Sequence, residues 1–319
     1  MSPDNPEGRF NLSLIHLTRG EYDKGWSHYR WRTDTRRKAG DRVPVPPLRQ
    51  PRWGGEPLAG KTILLMPEQG FGDTIQFVRY AKLARERGAR VFLAVHKPLH
   101  RLMLNCPLVD KVFLDGDPLP QYDYWAFPLD LPEYLGTEAG FTICSYIHPA
   151  KDLVVLWAAR LEQLFGGHRV RPRIGLVWSG RPGHARDAQR SATPAVFAPL
   201  VLDERIDWVV IQQGEGFPQA YKFGERLVHN VGRGVTDLAD TAAILSNLDL
   251  LISIDSAPVH LAGALGVPCW TMLDFAPDWR WLRAGDTTHW YQPNFRLFRQ
   301  PAPGDWGSVV EALAMVDRG

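Results

Sequence analysis

The chain comprises 319 residues, a length that suggests two domains of roughly 150 residues each. Its 37 Lys and Arg against 35 Asp and Glu leave a formal charge of +2 in an ordinary globular composition, which excludes a disordered chain and predicts no nucleic-acid partner. Cys106, Cys144 and Cys269 lie far apart without a C-x-x-C pair, no apolar run approaches the ~20 residues of a membrane span, and the start lacks a signal-peptide core. These features argue against a disulfide framework and predict a cytoplasmic protein with at most peripheral membrane contact.

Residues 8–33 carry Leu12, Leu14, Ile15 and Leu17, then Gly20, then Tyr22, Trp26, Tyr29 and Trp31, a helical spacing broken once. This predicts a short helical hairpin that resembles a terminal tetratricopeptide repeat and docks on the N-terminal α/β domain through Trp26 and Trp31. Residues 33–60, rich in Pro, Arg and Gly, predict a linker. Strands are expected at 61–66, 91–95, 111–114 and 124–127. A strand–glycine loop–helix unit covers the first of them, and a helix is expected over 98–105. A long helical pattern at 153–165 precedes further strands at 174–178, 208–212, 250–254 and 269–273, with helices near 194–202, 237–247 and 257–266 and a last one from Asp305. The expected architecture is α/β: a hairpin (1–40) and two doubly wound domains (41–150 and 151–319), with a ligand cleft at their strand ends.

Four segments can carry chemistry. After the first strand, Glu68-Gln69-Gly70-Phe71-Gly72-Asp73 joins glycines that admit close backbone approach to a helix start. It is neither a dinucleotide fingerprint nor a P-loop. Asp73 reads as a helix N-cap or as a functional carboxylate, and Gln76 lies one turn on. Asp255-Ser256-Ala257-Pro258-Val259-His260 puts a capped helix start after a strand, which suits phosphate, while a lone His in an apolar helix also suits a core. Trp178-Ser179-Gly180 opens a loop whose Arg181, Arg186 and Arg190 either hold a diphosphate or are solvated. Trp279 and Trp281 flank Arg280 and either stack on a sugar or base or fill an interface. Asp115-Gly116-Asp117 has a metal-binding D-x-D form, but beside a proline it reads as a turn. With no His/Glu cluster at ligand spacing, no metal and no cofactor are expected.

The segments EQGFGDTIQFVRYA, IGLVWSGRPGH, DLADTAAILSNLDLLISIDSAPVHLAGALGVPCW, DWRWL and LFRQ, in this order, resemble the tetratricopeptide-linked branch of the heptosyltransferase-like glycosyltransferases, family nine, from about residue 20 onward. The resemblance implies a GT-B fold with the nucleotide mainly on the C-terminal domain, and an inverting, metal-independent transfer from a nucleotide-diphosphate sugar to a glycan or protein hydroxyl. It implies Asp73 as general base. Donor contacts are expected from Gly70, Gly72, Ser179, Gly180, Gln212, Asp255, Ser256 and His260, and acceptor or sugar contacts from Gln76, Trp279 and Trp281. Ala257 stands where many members have glycine. Arg190 substitutes for a lysine that many members carry in the loop after the fifth strand. A non-catalytic scaffold and a nucleotide-sugar epimerase of the same fold are the competing expectations, and Glu68 is the next candidate base.

Overall fold

The N-terminal hairpin forms as the spacing dictates. Helix α1 (Pro6–Thr18) starts on Asn5, whose Oδ1 accepts the Glu7 N–H at 3.1 Å, with Pro6 in the first turn. Gly20 turns the chain with φ +75°, and α2 (Tyr22–Tyr29) returns along α1, running into a 3₁₀ turn at Arg30–Thr33. The helices meet where Gly25 has no side chain: a Cβ there would lie 2.5 Å from Leu17 Cδ2 and 3.2 Å from its backbone N, and Leu17 is wholly buried. Gly25→Ala is therefore expected to destabilise the protein by about 1–3 kcal/mol, read as a lower Tm.

The structure, a computed structural model, describes residues 5–167, 169–214, 216, 218 and 228–316. Residues 1–4, at the start expected to lack a signal core, lie outside them. The chain forms two units: residues 1–146 with 278–284, and residues 147–277 with 285–319. The hairpin is thus part of the first unit, and a seven-residue segment returns to that unit from far along the chain.

In the first unit, β1 (Thr62–Leu65), β2 (Arg90–Val95), β3 (Lys111–Leu114) and β4 (Tyr124–Ala126) form a parallel sheet ordered β3-β2-β1-β4. The second unit has β5 (Arg173–Val177), β6 (Asp207–Val210), β7 (Val228–Asn230), β8 (Leu250–Ile254), β9 (Cys269–Leu273) and β10 (Phe295–Arg299). They too are all parallel, ordered β10-β9-β8-β5-β6-β7. The central strands are mostly apolar, as burial on both faces requires, and β5 and β8 are buried along their whole length. The order reverses between β1 and β4 in one sheet and between β5 and β8 in the other. At such switch points the carboxyl ends of neighbouring strands open a crevice for ligands.

Three local expectations change. The run expected as one helix after β1 is two, α3 (Phe71–Phe77) and a second at Tyr80–Glu86. The buried Arg79 donates Nε to the Gln76 carbonyl at 2.8 Å, and Tyr146 OH donates to the Ile75 carbonyl at 3.0 Å, so side chains take acceptors at the break. The expected linker is anchored: Trp53 is 2% exposed and its N–H donates to the Trp125 carbonyl at 2.7 Å, laying residues 51–53 beside β4. Strands β7 and β10 were not expected.

Candidate functional site

In the first unit the switch point is occupied by the turns after β1 and β4. Gly70 is the N-cap residue of α3, and Asp73 is at the third helical position, so the N-cap reading of Asp73 is corrected. Its Oδ2 reaches back to accept the Gly70 N–H at 2.8 Å, while Oδ1 accepts from Arg280 Nη2. The side chain is 16% exposed. Burial pushes the Asp73 carboxyl above the usual carboxylate value, with Arg280 opposing.

Arg280 is the residue that sequence reasoning passed over. It is 7% exposed, donates Nε to Gln76 Oε1 at 2.7 Å and Nη1 to Asp278 Oδ1 at 2.8 Å, and lies 4.4 Å from the Trp279 ring centre. Although burial works against its charge, Asp278 and Asp73 hold its pKa above the ordinary arginine value. Gln76 is wholly buried, and its Nε2 has no partner among the described residues. Trp279 and Trp281, expected as sugar contacts, are buried, at 4% and 1% exposure. Trp279 packs edge-on against Trp26 at 5.3 Å and Tyr29 at 6.2 Å, inside the unit. The signal that could have found Arg280 is the D-W-R-W string itself: an arginine between two tryptophans, with an acid two positions before it, is built for burial.

Behind Asp73 lies a second charged group. Arg32 grips Glu68 with Nε at 2.8 Å and Nη2 at 2.9 Å and also reaches Asp130 at 2.7 Å; Arg52 holds Asp130 from the other side at 2.8 Å. Burial raises the Glu68 carboxyl against the pull of Arg32. Asp130, which burial alone would raise, is held below the usual range by Arg32 and Arg52. Glu68 is therefore engaged on both oxygens and enclosed, a poor alternative base. Of the two tryptophans expected at the hairpin contact, Trp26 makes it, against Thr137 and Phe77, whereas Trp31 is half-buried beneath Arg36.

In the second unit the switch point gathers the turns after β5 and β8. Gln212 Oε1 accepts the Trp178 and Ser179 N–H groups, both at 3.0 Å, and its Nε2 donates to the Ser179 and Gln213 carbonyls at 3.0 and 2.8 Å. Its amide, expected as a donor contact, shapes this turn. Ser179 Oγ, by contrast, is buried without a partner among the described residues. Arg190 Nη1 donates to the Asp255 carbonyl at 3.2 Å and Nε to Asp187 Oδ1 at 3.3 Å, tying the β5 loop to the β8 turn. Gly180 admits that arginine: a Cβ there would lie 2.5 Å from Arg190 Nη2.

Ser256 is the N-cap residue of the nine-residue helix Ala257–Leu265, but its hydroxyl turns back to the Ile254 carbonyl at 3.2 Å and no side chain caps the helix. The helix start is left open for an anion. His260 Nδ1 meets Tyr291 OH at 2.8 Å, and its Nε2 lies 3.9 Å from Asp255 Oδ1; at 6% exposure it is a buried linchpin of this helix. Gly70 and Gly72, expected with the donor, belong to the first unit and start α3. Asp115 and Asp117 form the expected turn, with Gly116 at φ +97° and the Leu114 N–H donating to Asp117 Oδ2 at 3.0 Å. Among the described residues no helix is long and apolar enough to cross a membrane.

Residues 227–273, which span the helix Leu238–Leu245, β8, the Asp255–His260 turn and β9, match the model of glycosyltransferase family 9 (heptosyltransferase). Protein FlbA of Caulobacter vibrioides is 28% identical over 345 residues, covering 98% of this chain and 56% of FlbA; the chain thus spans about half the length of that relative. The crystal structure of a family 9 glycosyl transferase from Veillonella parvula aligns over 83% of this chain and 92% of its own, with TM-score 0.58 and 14% identity. E. coli ADP-heptose lps heptosyltransferase II aligns over 79% and 98%, with TM-score 0.54 and 14% identity. The resemblance to family nine is borne out by these matches, and the expected fold class with it. They do not bear on the tetratricopeptide link, although the hairpin itself is present.

Proposed function

We propose that this chain transfers a sugar from a nucleotide-diphosphate sugar to an acceptor hydroxyl, with inversion and without a metal ion. The observation that carries the reading is Asp73, a carboxylate at the start of α3 oriented by the Gly70 N–H and Arg280. In the reaction the acceptor oxygen attacks the anomeric carbon, its proton passes to Asp73, and the bond from that carbon to the phosphate oxygen breaks. The departing nucleoside diphosphate takes the electron pair. The second unit supplies what that charge needs: the uncapped start of Ala257–Leu265, the Arg190 guanidinium and the Ser179 hydroxyl. An ADP-sugar is the first donor to try, since the E. coli neighbour is named for ADP-heptose.

The test is product analysis with an isotopically labelled ADP-sugar, with and without protein and glycan fractions as acceptor. Transfer that requires acceptor supports the reading. Altered sugar without acceptor points to an epimerase, and binding without turnover to a scaffold. Arg190→Gln is expected to weaken ADP binding about 10- to 100-fold by calorimetry, the worth of a charge-assisted hydrogen bond. Turnover is expected to survive chelation, because helix dipole and arginine carry the phosphate charge; loss on chelation with rescue by a divalent ion would overturn the metal-independent part.

A further inference from the structure

We propose that Arg32, from the N-terminal hairpin, is a positioning residue for Asp73 and acts through Glu68. The inference rests on the reading of Asp73 as the base and extends it to the hairpin, which becomes part of the machinery.

The loop that presents Asp73 begins at Glu68 and contains a strained link. Gln69 has φ +53°, a conformation that side chains other than glycine adopt at a cost, so the loop needs its ends held. The hairpin holds one end twice. Arg32 clamps both oxygens of Glu68, and Tyr29 OH accepts from Gln69 Nε2 at 3.1 Å. Glu68 Oε1 also accepts the Leu129 N–H at 3.2 Å, which ties the β1 turn to the β4 turn across the switch point. The other end is Asp73 itself, bonded to the Gly70 N–H and to Arg280; Arg280 is steadied by Trp279, which packs on Trp26 and Tyr29 of the same hairpin. Both ends of the loop therefore trace back to α2 and the turn after it.

The chemistry of the clamp favours geometry over stability. Arg32, Glu68 and Asp130 are all at most 6% exposed, and such a buried ionic group gains little over an apolar core of equal volume. A planar guanidinium bridging two carboxylates fixes direction, which an apolar contact does not, and a displacement of about 1 Å at a reacting group costs up to ~10² in rate.

The experiment compares Arg32→Lys, which keeps the charge but loses the fork, with Glu68→Gln, which keeps the shape and one acceptor. Hydrogen exchange is followed for peptides covering residues 69–74 alongside sugar transfer and ADP binding. Expected are exchange at least about tenfold faster at 69–74 with β5 and β8 unchanged, kcat lower by at least about tenfold, and ADP affinity within about twofold of the parent. Wild-type exchange at 69–74 in both variants, or an unchanged kcat in either folded variant, overturns the proposal. If the parent protein transfers no sugar, the functional reading fails, and the exchange data still decide whether Arg32 holds the loop.

Discussion

Asp73→Asn is expected to lower kcat by about 10²–10⁴ while leaving ADP affinity near that of the parent. Asparagine keeps an oxygen for the Gly70 N–H but does not accept a proton at neutral pH. The substitution removes one charge from Arg280, which retains Asp278 at 2.8 Å and Gln76 at 2.7 Å, so a loss of about 1–3 kcal/mol and a folded protein are expected. The pH profile carries the sharper signature. Because burial raises the Asp73 carboxyl, kcat in the parent should fall on acidification at a pH above the ordinary carboxylate range, as the base becomes protonated. That acid limb should vanish in the variant. A variant that keeps most of its turnover would reduce Asp73 to a helix-start residue paired with Arg280.

Trp26→Ala is expected to cost about 3–5 kcal/mol, lowering the Tm of the first unit by about 10 °C. The ring is 2% exposed, its Nε1–H donates to Thr137 Oγ1 at 2.6 Å, and it lies edge-on to Tyr29, Phe77 and Trp279. The loss is more than a cavity, because Trp279 carries Arg280 to Asp73. Trp26→Phe keeps the ring contacts and loses the Thr137 bond, so it should recover most of the Tm. A wild-type Tm in Trp26→Ala would show that the hairpin is dispensable to this unit.

Much of the fold is legible in the sequence because parallel strands buried on both faces are written as short apolar runs, such as residues 62–65 and 250–254, each followed by glycine or a helix-starting residue. The turns at 68–73 and 255–260 stand out for that reason. Strand β10 hides because its five residues, Phe295-Arg296-Leu297-Phe298-Arg299, include two arginines at the sheet edge. The contacts of Arg280 hide for another reason: it pairs with Gln76 and Asp73 across 204 and 207 positions of sequence, and no local pattern encodes such a separation. Nor does local sequence distinguish a tryptophan that offers its face to a ligand from one that is buried, as Trp279 and Trp281 are. His260 is legible by its position and Gln212 only through the resemblance, and the roles of both depend on partners, Tyr291 and Ser179, that only the folded chain supplies.

Acceptor-dependent release of nucleoside diphosphate from an ADP-sugar, followed in the parent and in Asp73→Asn, tests the central claim most directly. The account predicts release that requires acceptor, stoichiometric with sugar gained by the acceptor in inverted configuration, and at least about 10² slower in the variant. Equal release in the two proteins, or a retained configuration, would contradict it.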